Sequence, residues 1–288
     1  MRKQIFALAL VFVLVFALSA SVNAEGLRIA TGKETGIYYS VAGKLLQQQL
    51  GNTKSELIST NGSVQNLEML KNGTADIAFC QLDALINMTG ADMDILIIKR
   101  LYPEYVHLIV SQGSKIKSIK DFDLKKAKFA IGPDGSGTWV TWKSFCTADK
   151  SYADVATVPL GGARALSALE SKDVDAVLLI GGLGMGDAMK ANNDGAKFEL
   201  AAVDDWDFNN AVYKKDKVYD FIDLPAKTYP MLIEGMFKGS VETIKVDAVL
   251  VTTAKWADAN ANLYDKLFDA ATRTIPNIKL AMDARAKR

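Results

Sequence analysis

The chain has 288 residues, enough for about two domains, and carries 34 Lys and Arg against 33 Asp and Glu, a formal net charge of +1. That balance leaves no charge excess for a nucleic-acid backbone, so no nucleic-acid partner is expected. A single histidine, His107, and two cysteines, Cys80 and Cys146, remove most zinc sites and make any Ser-His-Asp reading depend on one residue; no metal, cofactor or catalytic residue is expected.

The amino terminus has the form of a signal peptide. Arg2 and Lys3 precede an apolar run from Ile5 to Ala20, and Val22-Asn23-Ala24 ends in the small residue that a signal peptidase needs, which places cleavage after Ala24. Sixteen helical residues reach about 24 Å, short of a hydrocarbon core of roughly 30 Å, so the run reads as a cleaved leader rather than an anchor. Residues 1–24 are therefore a signal peptide, and the mature protein is expected in the periplasm. That compartment is oxidising, but Cys80 ends a strand-like run and Cys146 lies mid-helix in the other half of the chain, so two buried free thiols are expected.

The mature chain repeats itself at an offset near 100. Leu27 to Thr31 alternates as a strand, Gly32-Lys33-Glu34-Thr35-Gly36 turns the chain, and Val41, Ala42, Leu45, Leu46 and Leu50 give Tyr38 to Leu50 a helical spacing. The same order returns with Ala127 to Ile131 as strand, Gly132-Pro133-Asp134-Gly135-Ser136-Gly137 as loop, and a helix opening at Thr138 or Trp139. A second segment also recurs. Asn61-Gly62-Ser63 opens a helix through Leu67 and Leu70 before a strand at Ala75 to Phe79, and Gly161-Gly162-Ala163 opens one through Leu166 and Leu169 before Val174 to Leu179, bringing Asp76 opposite Asp175.

Strands alternating with helices in both halves predict a two-lobed α/β molecule with a parallel sheet in each lobe. Between the halves, Tyr102-Pro103 reads as a turn before a strand-like run, Val106 to Val110, in which His107 is structural. Val246 to Val251 reads as a buried strand, and a helix from about Trp256 to Ala271 returns to the first lobe. Residues 25–102 with 247–288 then form lobe I and residues 103–246 lobe II, hinged near 100 to 106 and 244 to 248, in a protein expected to be a monomer.

Ligands of open α/β sheets bind at the carboxyl ends of strands, so the two sets of glycine loops are expected to face each other across a crevice. Gly135-Ser136-Gly137-Thr138 precedes a helix whose first N–H groups lack intrahelical partners, a nest suited to a carboxylate. Thr138 stands where a Walker A loop requires lysine, which disfavours ATP. Ser63 caps the next helix or faces the ligand, and Asn66 lies one turn on. Tyr38 and Tyr39 follow the loop that ends at Gly36, one offering its phenol while the other packs. Gln81 ends a strand at the crevice, and of Trp139 and Trp142 one is expected to wall it. Arg164, near the start of the helix after Gly161-Gly162, offers a bidentate carboxylate contact or, as is commoner, a solvated helix face, and stays outside the candidate set. The candidate ligand-binding residues are thus Gly36, Tyr38, Tyr39, Ser63, Asn66, Gln81, Gly135, Ser136, Gly137 and Thr138.

Five segments also carry a resemblance: Thr31-Gly32 with Gly36 and Tyr38-Tyr39; Asn61 to Leu67; Ala75 to Gln81; Leu101-Tyr102-Pro103-Glu104 with Val106-His107; and Gly132 with Gly135 to Thr138. Together, in this order, they resemble the TAXI family of solute receptors, which serve tripartite ATP-independent periplasmic (TRAP) transporters. The resemblance implies a periplasmic-binding-protein fold with two hinge strands, capture of a small carboxylate such as glutamate or a dicarboxylate, and delivery to TRAP membrane permease subunits. Lys33 departs from the glycine often found there in the family. Two other roles fit the same scaffold: a receptor that presents its ligand to a membrane sensor, and an enzyme with Cys80 or Cys146 as nucleophile, for which the only bases are His107 or a carboxylate.

Overall fold

The computed structural model describes residues 26–88, 94–233 and 239–285; the expected signal peptide lies outside the described residues. In the first half, β1 (Leu27–Ala30) leads through a π-helical turn, Tyr38–Gly43, into α1 (Lys44–Leu50), so the helix expected over Tyr38 to Leu50 is divided between two windings. There follow β2 (Ser55–Ile58), α2 (Ser63–Lys71), β3 (Ile77–Gln81) and α3 (Leu82–Met88). β1 lies between β2 and β3, parallel to both.

The long strand β4 (Ile95–Ser111) carries the chain into the second half, which rebuilds the same unit. Its elements are β5 (Lys128–Ala130), α4 (Gly137–Ala148), β6 (Ala156–Val158), α5 (Gly162–Glu170) and β7 (Ala176–Gly181), with β5 parallel to both β6 and β7. The repeat extends to individual hydrogen bonds. The Arg28 backbone N–H donates to Asp76 Oδ2 at 2.8 Å while the Asp76 N–H donates to the Arg28 carbonyl, and Lys128 and Asp175 make the same reciprocal pair at 2.8 Å. Each aspartate thereby ties the start of its lobe's central strand to the turn that feeds the neighbouring one.

The remaining elements are α6 (Gly186–Asn193), β8 (Phe198–Ala201), a short antiparallel hairpin of β9 (Val212–Tyr213) and β10 (Asp216–Lys217), β11 (Tyr219–Pro225), β12 (Ser240–Thr253), α7 (Ala254–Ala259) and α8 (Ala261–Arg285). β12 and β4 run antiparallel to each other, β12 also pairing with β3 and β4 with β7. The result is one continuous mixed sheet in the order β2-β1-β3-β12-β4-β7-β5-β6, in place of two separate parallel sheets. Helix α8 packs on α1 and so returns to the first lobe.

No turn occurs at Tyr102-Pro103. β4 passes straight through, with Pro103 opposite Asp247 of β12, and pairing on its other edge begins only at Tyr105. Proline lacks an N–H and is tolerated where one edge of a strand is unpaired, which is the situation at residue 103.

Three apolar clusters hold the fold. One fills the first lobe beneath α8, one lies under α5 and α6, and the largest joins Leu67, Cys80 and Leu85 of the first half to Phe129, Trp142 and Phe145 of the second. Trp142 sits deep in this shared core beside Phe129 and Tyr152. Trp139 packs at its margin with the Lys143 ammonium over its ring, so neither tryptophan lines the cleft. His107 is fully buried, its Nε2 at 2.8 Å from the Tyr229 hydroxyl, and burial pulls its pKa down to about 4. Cys80 is a buried free thiol as expected, whereas Cys146 is free but only half-buried.

Candidate ligand-binding cleft

A cavity of about 700 Å³ lies between the lobes, at the ends of the strands where the glycine loops enter helices. Its wall is built from helix beginnings. Gly62 and Ser63 of α2, Ser136 to Thr138 of α4, Gly161 and Gly162 of α5, and Met185 and Gly186 of α6 all line it. Four helices thus aim unsatisfied N–H groups and the positive ends of their dipoles at one volume, which favours an anion there. Lys33, Arg164 and Arg285 add positive charge, against Glu104, Asp134 and Asp187. A methyl group on Gly162 would meet both carboxylate oxygens of Asp187 at 3.1 Å, so the start of α5 already has an anion beside it.

α4 opens at Gly137, one residue before the expected start, because Ser136 caps it: the Ser136 hydroxyl accepts from the Trp139 N–H at 3.3 Å. The Gly137 and Thr138 N–H groups therefore stand free of intrahelical partners with the Thr138 hydroxyl beside them. Gly137 approaches the first lobe so closely that a Cβ there would overlap the Gln81 amide.

Of the candidate residues, Gly36, Tyr38, Ser63, Gln81, Ser136, Gly137 and Thr138 line the cavity, and Tyr39, Asn66 and Gly135 do not. Asn66 is fully buried and its amide is used within the first lobe: Nδ2 donates to the Thr31 carbonyl and to the Phe79 carbonyl at 2.6 Å, and Oδ1 accepts from the Thr60 hydroxyl at 2.6 Å. One turn into α2, its side chain falls over the sheet and fastens β1 to β3. Ser63 is not the cap of α2, since Gly62 takes that place; its hydroxyl accepts from the Gln81 N–H at 3.1 Å. Tyr38 is the one of the pair that lines the cavity, its ring stacked on Phe79 and its hydroxyl donating to Glu104, while Tyr39 lies outside the cavity with the Lys44 ammonium over its ring. Gly135 takes a positive φ of 77°, and a Cβ there would meet Val64 at 3.6 Å.

Three more residues line the cavity. Arg164, open in the sequence to either a carboxylate contact or a solvated helix face, faces it because the helix starts with its first turn against the cleft. Arg285 arrives from the far end of the chain on α8, where it donates to the Ser40 hydroxyl at 3.1 Å. Glu104 lies beside the misread proline in β4, and the available signal was a carboxylate inside an otherwise apolar run. It accepts from the Tyr38 hydroxyl at 3.1 Å and the Tyr102 hydroxyl at 3.5 Å, and burial pushes its pKa up to about 7 against the pull of those hydrogen bonds.

Behind the cleft floor a polar chain links the lobes. Gln81 Nε2 donates to the Thr141 hydroxyl at 3.3 Å, and Thr141 donates at 2.7 Å to Asp83 Oδ2, which also accepts from the Tyr219 hydroxyl at 2.8 Å. Asp83 is fully buried, which pushes its pKa up to about 6. Burial also raises the Cys80 and Cys146 thiols, away from the thiolate that a nucleophile requires.

Two α/β lobes joined by paired strands around a cleft of helix N-termini define the fold of periplasmic solute-binding proteins, and solved structures share it. The periplasmic aliphatic sulphonate binding protein SsuA from Escherichia coli superposes with a TM-score of 0.54 at 16% identity, covering 91% of this chain and 76% of that one. The GluR0 ligand-binding core from Nostoc punctiforme, in complex with L-glutamate, gives 0.52 at 14% identity, covering 91% and 100%. A protein from Bordetella bronchiseptica RB50 gives 0.54 at 19% identity, covering 86% and 70%. The family model described as NMT1-like matches residues 29–269, and the chain belongs to the NMT1-like family. Among the described residues no helix is long and apolar enough to cross a membrane.

Proposed function

We propose that the protein is the periplasmic solute receptor of a TRAP-type secondary transporter, of the TAXI kind, binding a small carboxylate and handing it to the membrane permease subunits as a monomer. Residues 25–102 with 247–288 act as one jaw and residues 103–246 as the other. The observation that carries this reading is the convergence of the α2 and α4 N-termini on the cavity, with the N–H groups of Gly137 and Thr138 and the Thr138 hydroxyl offered to a carboxylate. The GluR0 core, on the same fold, is in complex with L-glutamate. A thermal-shift panel of small carboxylates on residues 25–288 tests it: a true ligand at a hundred times its Kd stabilises by about 2.7 kcal/mol, and a panel in which no carboxylate stabilises overturns the reading. Uptake by cells carrying the cognate permease is expected to stop when the ion gradient is collapsed and to survive ATP depletion; the reverse result points to an ATP-driven partner.

A further inference from the structure

The repeated unit changes at one junction. In the first half β3 runs directly into α3, Gln81 being followed by Leu82, whereas in the second Gly182-Leu183-Gly184-Met185 stand between β7 and α6. Four of the six residues from Gly181 to Gly186 are glycine, so this loop has much conformational freedom to lose. It nevertheless carries two duties: Gly181, Gly182, Met185 and Gly186 line the cavity, and Gly182 lies against Met282 and Ile37 of the first lobe. What fixes it comes from behind. Residues 226–233, which follow β11, hold α6 at both ends: the Met231 and Leu232 N–H groups donate to Asn192 Oδ1 at 2.9 and 3.3 Å, and the Gly184 N–H donates to the Tyr229 hydroxyl at 2.8 Å. A phenol has one proton, and with its oxygen receiving Gly184 that proton goes to His107 Nε2, 2.8 Å away. The neutral imidazole then carries its own proton on Nδ1, which makes no hydrogen bond of ordinary geometry among the described residues, although the Tyr105 and Leu179 carbonyls favour a proton on the ring. Both side chains are fully buried, and neither lines the cavity.

We infer that Tyr229, with His107 as its acceptor, is a positioning residue for ligand capture: its hydroxyl fixes Gly184, and through it the cleft wall and the interlobe contact that Gly181 to Gly186 supply. This rests on the reading of the cleft as the ligand site, and it holds for any ligand gripped by both lobes. Without the hydroxyl the glycine loop samples other arrangements, and apparent affinity falls in proportion to the time it spends in the binding one. A loop in place about one-tenth of the time costs about tenfold.

Tyr229→Phe keeps the ring and its edge contact with His107 and removes only the hydroxyl. In calorimetry on residues 25–288 with L-glutamate as probe, it is expected to lose about tenfold in affinity. Without ligand, amide exchange at Gly184 and Met185 is expected to quicken at least tenfold while the amides of β4 and β7 keep their protection. His107 is the chain's only histidine, so a nitrogen NMR spectrum of the imidazole reports on it alone, and wild type is expected to show Nδ1 protonated and Nε2 accepting a hydrogen bond. Combining Tyr229→Phe with His107→Leu separates positioning from support: removing the acceptor along with the donor is expected to restore part of the stability lost in urea and none of the affinity. Affinity that returns together with stability, unchanged loop exchange in Tyr229→Phe, or a wild-type spectrum with the proton on Nε2 overturns the proposal. Absence of L-glutamate binding by wild type counts against the carboxylate reading instead, and the exchange of ligand-free Tyr229→Phe then decides this one alone.

Discussion

Thr138 offers the cleft a hydroxyl next to a free N–H, and Ser136 spends its own oxygen on capping α4, so the two hydroxyls should respond differently to removal. Thr138→Val is expected to weaken the ligand by about ten- to a hundredfold in calorimetry with little change in stability, the worth of one charge-assisted hydrogen bond. Amidating the ligand's carboxylate should cost a similar factor in wild type and little further in Thr138→Val, since the lost contact is the same one; additive losses would place the carboxylate elsewhere. Asp83 makes a different prediction. Its pKa is raised on folding from 3.8 to about 6, so its contribution to stability is present in full below 3.8 and is lost as pH rises through about 6. His107, lowered from 6.5 to about 4, works in the opposite sense, adding stability as pH rises across that interval. In urea melts, Asp83→Asn is expected to gain on wild type progressively between pH 4 and 7, by up to roughly 3 kcal/mol, because the amide keeps an acceptor for Thr141 and Tyr219 without a charge to bury. A constant difference across that range would mean that Asp83 does not titrate there.

At the scale of elements, α4 is the piece whose beginning matters most. Ser136→Ala is expected to lower stability by about 1 kcal/mol through loss of the cap, and also to weaken the ligand, because the first turn that presents Gly137 and Thr138 frays. The parallel units were legible in sequence because their cues are local: glycine loops after short apolar strands, helical spacing, and Asp76 and Asp175 at matching places, which turn out to make matching bonds to Arg28 and Lys128. The signals that failed were those set by distant partners. Proline argues against a central strand, so Tyr102-Pro103 reads as a turn, and only the absence, among the described residues, of a neighbour on one edge of β4 at that point makes the strand possible. The turn reading gives Glu104, one residue later, no place in the cleft. Asn66 carries the right chemistry for a ligand contact, but the carbonyls of Thr31 and Phe79, brought together by sheet pairing, claim its amide first. Arg285 had no local signal at all, since its place in the cleft depends on α8 crossing back over α1.

For the whole molecule, the lobes touch at two places beside the cavity. Gly137 abuts Gln81 at one of them, and at the other a Cβ at Gly182 would overlap Met282 of α8 and lie 3.0 Å from Ile37. Gly182→Phe is therefore expected to prop the jaws apart: its radius of gyration in small-angle scattering should exceed that of ligand-saturated wild type, and affinity should fall at least tenfold without loss of the folded state. Wild type is expected to contract when ligand is added, and an unchanged radius at saturation would argue against hinged closure. The large core shared between Leu67 and Leu85 on one side and Trp142 and Phe145 on the other predicts in addition a single cooperative unfolding transition, rather than one step for each lobe.

The place of β12 sets a schedule for making the protein. It lies between β3 and β4, yet it is among the last parts of the chain to be synthesised, after every strand it joins. Until residues 240–253 leave the ribosome, β3 keeps an open edge and the first lobe lacks both its closing strand and the helix that covers α1. Completion of the first lobe is thus deferred until the last strand of the sheet has been made. Fragments ending at residue 239 should then remain protease-sensitive, while those ending at 285 become resistant.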